Sequence, residues 1–138
     1  MRLIFVIILI YNFSVSFAQS SKEKIEAARI NFIKERIELT NNQEAIFWPL
    51  YNEYQDKRSD IKRQMKLLKT ETGGLSATDE QLKADLERLF ELRQLEQELE
   101  KDYYRKFLKV ISIRQLIELM KAEKQFTIML VKKLEENK

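Results

Sequence analysis

The chain of 138 residues contains no cysteine and no histidine, a single proline and two glycines. Each shortage excludes something. Without Cys or His there is no thiol redox centre, no disulfide and no zinc or haem site of the usual nitrogen and sulfur kind. Histidine-based triads and the commonest general base are missing as well. So little Gly and Pro argues against hairpins and tight turns, and hence against a sheet protein. No Gly-rich phosphate loop is present, since the only glycines are Gly73 and Gly74. The 22 carboxylates alternate with Lys and Arg at helical spacing, a pattern of surface ion pairs rather than of catalysis. These absences predict an all-α, non-enzymatic chain without cofactor or metal.

Long hydrophobic runs are confined to the start. Arg2 precedes an apolar stretch from Leu3 to Ile10, and Ser16-Phe17-Ala18 has the small-x-small form of a cleavage site. The run is shorter than the roughly 20 residues a spanning helix needs. The expectation is a signal peptide over 1–18, cleaved after Ala18 to release residues 19–138 into the periplasm; an uncleaved anchor is the alternative. No Cys is available for a lipid anchor. Losing Arg2 lowers the formal net charge from +3 to +2, too little for a general argument for nucleic-acid binding.

Four hydroxyl residues are each followed three positions later by Glu or Gln: Ser20 and Glu23, Thr40 and Gln43, Thr78 and Gln81, Ser112 and Gln115. This is the capping box, in which the hydroxyl accepts the N3 amide and the N3 side chain returns to the N-cap amide. The boxes predict helices over about 21–38, 41–71, 79–110 and 113–136. The first carries Ile25, Ala28, Phe32 and Leu39 on one stripe, with Ile30, Ile33 and Ile37 beside it. In the second, Pro49 lies too deep to be an N1 residue and predicts a kink. The neighbouring Phe47, Trp48, Tyr51 and Tyr54 are read as filling that bend, and Gly73-Gly74 as ending the helix. The third helix repeats apolar residues at 82, 86, 89, 92, 95, 99, 103, 107 and 110, as a coiled-coil seam would. It would be about 48 Å long. So long a helix in a short chain leaves a thin core, and part of its apolar stripe is expected to face a second copy as a homodimer.

Leu39-Thr40-Asn41-Asn42-Gln43 is an LTxxQ motif, and Ile111-Ser112-Ile113-Arg114-Gln115 is a variant with Ile for Leu and Ser for Thr. With the N-terminal apolar run, Phe47–Tyr54 and Ala122–Phe126, these motifs resemble the Spy/CpxP family, in particular the subgroup labelled sensors of extracytoplasmic-function sigma factors. The resemblance covers essentially all of residues 19–138. It implies an elongated four-helix hairpin that dimerises antiparallel into a cradle. It also implies an ATP-independent chaperone for unfolded or misfolded envelope proteins. Other members damp or sense envelope stress, so the alternative is a dedicated regulator that binds a membrane sensor or anti-sigma factor. The family's metal sites use His and do not carry over to this sequence. Leu39, Thr40, Gln43, Ser112 and Gln115 are read as structural caps that fix helix starts.

For client binding, the candidates lie on the second and fourth helices. Arg58, Lys62, Lys66 and Lys69 share one arc of the second helix beside the stripe of Tyr54, Ile61, Met65 and Leu68. Cations that attract acidic, unfolding chains, next to adaptable Ile61 and Met65, would suit loose binding of many partners. On the fourth helix, the run Phe126, Ile128, Met129, Leu130, Val131 is too apolar for one neighbour to cover. Phe126 and Met129 are therefore candidates too. Through the same helix, binding to a lipid surface is a third reading.

Overall fold

A computed structural model of the chain describes residues 21–71 and 77–136, and those residues form four helices. Helix α1 occupies residues 21–34. It is followed by α2 (Asn41–Glu71), α3 (Asp79–Phe107) and α4 (Ile113–Glu136). The fold is all-α, with no strand among the described residues. The expected signal peptide, the Ser20 cap and Gly73-Gly74 lie outside those residues. No described helix is long and apolar enough to cross a membrane.

Three helix starts are set by the boxes read from the sequence. Gln43 N donates to Thr40 Oγ1 at 3.3 Å, and Thr40 N donates to Gln43 Oε1 at 3.0 Å. The same reciprocal pair joins Thr78 with Gln81 and Ser112 with Gln115. Each box satisfies two amides that a helix start would leave unpaired. Acidic Asp79 and Glu80 in the first turn of α3, with Arg105 and Lys106 in its last, also complement the helix dipole.

Two helices end sooner than periodicity predicts. The α1 residues give way after 34 to a turn in which Ile37 N donates to Ile33 O. That turn buries Ile37 and releases the chain in time for Thr40 to cap α2. α3 ends at Phe107, not at 110, and Ile111 N closes back on Phe107 O before Ser112 opens α4. In both places the next cap, not the apolar pattern, fixes the stop. α2 continues as one helix through Pro49.

The chain divides into two compact units, one of residues up to Glu38 with Ile117 onward, the other Leu39–Leu116. In the first, Ile33, Ile37, Leu119, Ala122 and Phe126 are buried, and Phe32 meets Phe126 with ring centroids 5.7 Å apart. The second is an antiparallel pairing of α2 and α3 around aromatic rings. Phe107 lies 5.3 Å from Phe47, 5.8 Å from Tyr54 and 6.1 Å from Tyr103. Tyr54 and Tyr103 are 5.2 Å apart. Of the four aromatics around Pro49, Phe47, Tyr51 and Tyr54 are core and Trp48 is half-buried. Leu92 and Ile61 carry the buried line along the pair.

The predicted seam of α3 is buried only in part. Leu92, Tyr103 and Phe107 are inside, whereas Leu82, Leu86 and Leu95 are exposed. A straight helix drifts by about 20° per heptad against a 3.5-residue repeat, so three heptads carry Leu82 roughly 60° from the line of Tyr103. A single facing helix cannot follow that drift.

Candidate functional site

The two LTxxQ-type boxes meet. Gln43 Nε2 donates to Gln115 Oε1, and Gln115 Nε2 donates to Gln43 Oε1, both at 3.1 Å. The second proton of Gln43 Nε2 goes to the Val110 carbonyl at 3.1 Å. Each glutamine oxygen also accepts the amide of its own cap residue. The start of α2 and the start of α4 are therefore fastened by one four-residue network. Thr40 and Ser112 spend their hydroxyls on backbone amides, and Leu39 is half-buried. This is a structural clasp.

Glu96 of α3 marks the side of the hairpin on which the basic stripe of α2 lies. Its Oε1 is 3.3 Å from Arg58 Nε and 3.7 Å from Lys62 Nζ. The opposite side carries Arg88, which donates to Gln64. It also carries Lys57, whose Nζ donates to Glu53 at 2.6 Å and to the Tyr103 hydroxyl at 2.9 Å. The hydrogen bond from Lys57, with Tyr103 second, holds the Glu53 carboxyl below its usual range, and the same bond raises the Lys57 ammonium. Arg63 pairs with Asp60, and with Gln64 keeps that carboxyl low as well.

Lys66 and Lys69 follow Lys62 along the Glu96 side, exposed and without an ion pair among the described residues. At about 100° per residue, Glu96, Leu82, Arg93 and Leu86 succeed one another around α3 on that same side, and Phe90 follows beyond them. Leu86 and Phe90 are 49% and 51% exposed, too much for core residues. Lys62, Lys66 and Lys69 of α2 thus lie on the side of the hairpin toward which Leu82, Arg93 and Leu86 of α3 turn, while Phe90, about 160° around α3 from buried Leu92, lies on its outer face.

The candidate residues from the sequence divide accordingly. Lys62, Lys66 and Lys69 lie on this flank, while Arg58 is engaged with Glu96. Met65 is half-buried at its edge. Ile61 is only 6% exposed, because it sits on the line that faces α3, and so offers nothing to a client. Phe126 is 9% exposed under Arg29 and Phe32 and belongs to the core. Met129 is exposed. Leu86, Phe90 and Arg93 were not among the candidates. Phe90 was detectable as a large apolar residue off the 86, 89, 92 rhythm.

Among the described residues no cluster of acidic side chains is arranged to hold a metal ion. No protein-family model, curated protein or solved structure shows significant similarity to the chain.

Proposed function

We propose that the chain is an exported, ATP-independent chaperone-like protein that holds unfolded or stress-damaged envelope proteins on the lysine-bearing half of α2 and α3. The observation that carries this reading is the exposure of Leu82, Leu86 and Phe90 on α3, with Lys62, Lys66 and Lys69 exposed on the half of α2 that pairs with it. Exposed apolar side chains recover area from water when an unfolded segment covers them, at roughly 25 cal/mol per Å². The lysines attract acidic stretches from a distance, and their methylene stems extend the apolar contact. Such contacts are individually weak and tolerant of sequence, which suits transient capture of many chains. Export rests on the apolar run Leu3–Ile10 and the Ser16-Phe17-Ala18 site.

The test is suppression of aggregation of two unrelated unfolding proteins by the purified chain without nucleotide. Protection of both near equimolar ratio is the expected result. Protection of neither would overturn the proposal and leave the dedicated regulator, whose partner would be a membrane-bound stress sensor.

A further inference from the structure

We propose that Arg58, Lys62, Lys66 and Lys69 of α2, with Arg93 of α3, bind a linear polyanion built of phosphate groups, of the inorganic polyphosphate kind. Four cations elsewhere on the hairpin each have a carboxylate three or four residues away: Lys57 has Glu53, Arg63 has Asp60, Arg88 has Glu91 and Lys106 has Asp102. The row is arranged differently. Arg58 and Lys62 share one carboxylate, Glu96, at 3.3 and 3.7 Å. Lys66, Lys69 and Arg93 are exposed and make no ion pair among the described residues. Asp85 is the other carboxylate on the α2-facing side of this stretch of α3. Asp56 and Asp60 turn away, about 120° and 160° around α2 from Lys62. Five cations therefore face two carboxylates, and their mutual repulsion is relieved only by an anion from outside.

The geometry and chemistry of the row define that anion. Its four α2 members fall within about 80° of the helix and about 16 Å of its length. Because Arg58 meets Glu96, the antiparallel pairing brings Lys62 level with Arg93. A linear chain of charges laid along α2 meets each cation in turn, whereas a single small anion reaches one or two. Three of the five are lysines, compact point charges that hold phosphate without directional matching. The one aromatic residue of the stretch, Phe90, lies on the outer face of α3, so a nucleobase finds no ring to stack on. Of the four most exposed apolar residues here, Leu67, Leu95 and Phe90 turn away from the row and only Leu86 shares its side. The row thus lacks the continuous apolar face by which an interfacial helix enters lipid. A ligand made of charge alone fits what remains. The row shares its lysines with the client-capture reading, but the inference rests on the arrangement of charge and requires no client.

The probe is inorganic polyphosphate, titrated into the full chain without client and followed by calorimetry at several salt concentrations. With four or five contacts, the logarithm of the binding constant should fall against the logarithm of salt with a slope of roughly −3. Lys62→Gln, Lys66→Gln and Lys69→Gln combined should weaken binding at least about tenfold and reduce the slope to about half or less. Lys121→Gln, Lys124→Gln and Lys132→Gln on α4 remove the same net charge and should change neither. Circular dichroism melts establish that both variants are folded. Absence of polyphosphate binding would overturn the proposal and leave client capture, measured separately by aggregation, untouched. Equal losses in the two variants would also overturn it, by reducing the effect to net charge. So would orthophosphate binding as tightly at equal phosphate concentration, or an oligothymidylate of matched charge binding more tightly. Phosphatidylglycerol vesicles bound through the α2 lysines, with polyphosphate ignored, would give the row to a membrane surface instead.

Discussion

Toward the start of α2 and the end of α3, the rings of Phe47, Tyr51, Tyr54, Tyr103 and Phe107 are almost wholly buried against one another. Along the other half of the same two helices, Leu67, Leu82, Leu86 and Phe90 stand in solvent. Composition does not explain the difference, since both halves carry large apolar residues. Side-chain size and register do. Aromatic rings reach across the gap between two helices and satisfy one another, whereas a leucine displaced by helical drift has nothing opposite it. One half of the hairpin spends its apolar residues on packing, and the other leaves several of them exposed, where the proposed binding would use them.

The largest expected effects lie in the aromatic half. Phe107→Ala removes a ring that touches Phe47, Tyr51, Tyr54, Tyr103 and Tyr104. It should cost about 3–5 kcal/mol in urea denaturation, the range for deleting a buried aromatic side chain. Phe90→Ala, on the same helix, should stay within about 0.5 kcal/mol. A comparable loss at both positions would erase the distinction between the halves.

The clasp comes next. Gln43→Ala loses the return bond to Thr40, the pair with Gln115 and the bond to Val110. About 2 kcal/mol is expected, since a net hydrogen bond contributes around 1 kcal/mol or less. Combining it with Gln115→Ala should cost less than the sum of the single changes, because both delete the same pair. Thr78→Ala, in a box with no such partner, should cost only about 1 kcal/mol. Additive behaviour of Gln43 and Gln115 in a double-mutant cycle would mean that the two boxes act separately.

Smaller still is the effect of the flank on folding. Replacing Lys62, Lys66 and Lys69 together with Gln should change stability by no more than about 1 kcal/mol, as for exposed charges generally. Client association, measured by stopped flow, should slow in the variant and lose most of its salt dependence. Equal salt slopes in the two proteins would remove the lysines from the binding surface.

The least effect is expected from acid. Glu53 has a depressed pKa in the folded chain, so its contribution to stability is complete above the unfolded value of 4.5. It is lost as pH falls through the folded value. Glu53→Gln should therefore lower the neutral plateau slightly and flatten the acid limb below pH 4.5, so that the two proteins converge at low pH. An unaltered acid limb would show that the Lys57 pair does not persist in solution.

Much of this fold was legible in the sequence because the caps are local. Thr40, Thr78 and Ser112 announce their helices through a partner three residues away, and each box forms as read. The burial of Phe47, Tyr51 and Tyr54 was legible too, from their place around Pro49. What the sequence did not give up is long-range. The pairing of Gln43 with Gln115 joins residues 72 apart, and nothing in either box signals the other. Ile61 and Phe126 passed for binding residues because adjacency to a basic or apolar run says nothing about direction. Leu86 and Phe90 were hidden for the converse reason, as periodicity places residues on a stripe without saying how far a neighbour covers it.

Photo-cross-linking from within the hairpin tests the central claim most directly. Phe90 and Ile46 are similarly exposed, at 51% and 60%, but only Phe90 belongs to the exposed run of α3 proposed to hold clients. A benzophenone side chain placed at each position in turn, with an unfolding protein present, should capture that protein from position 90 and leave it nearly untouched from position 46. Equal capture from both, or capture from 46 alone, would contradict the assignment of binding to the open half of α2 and α3.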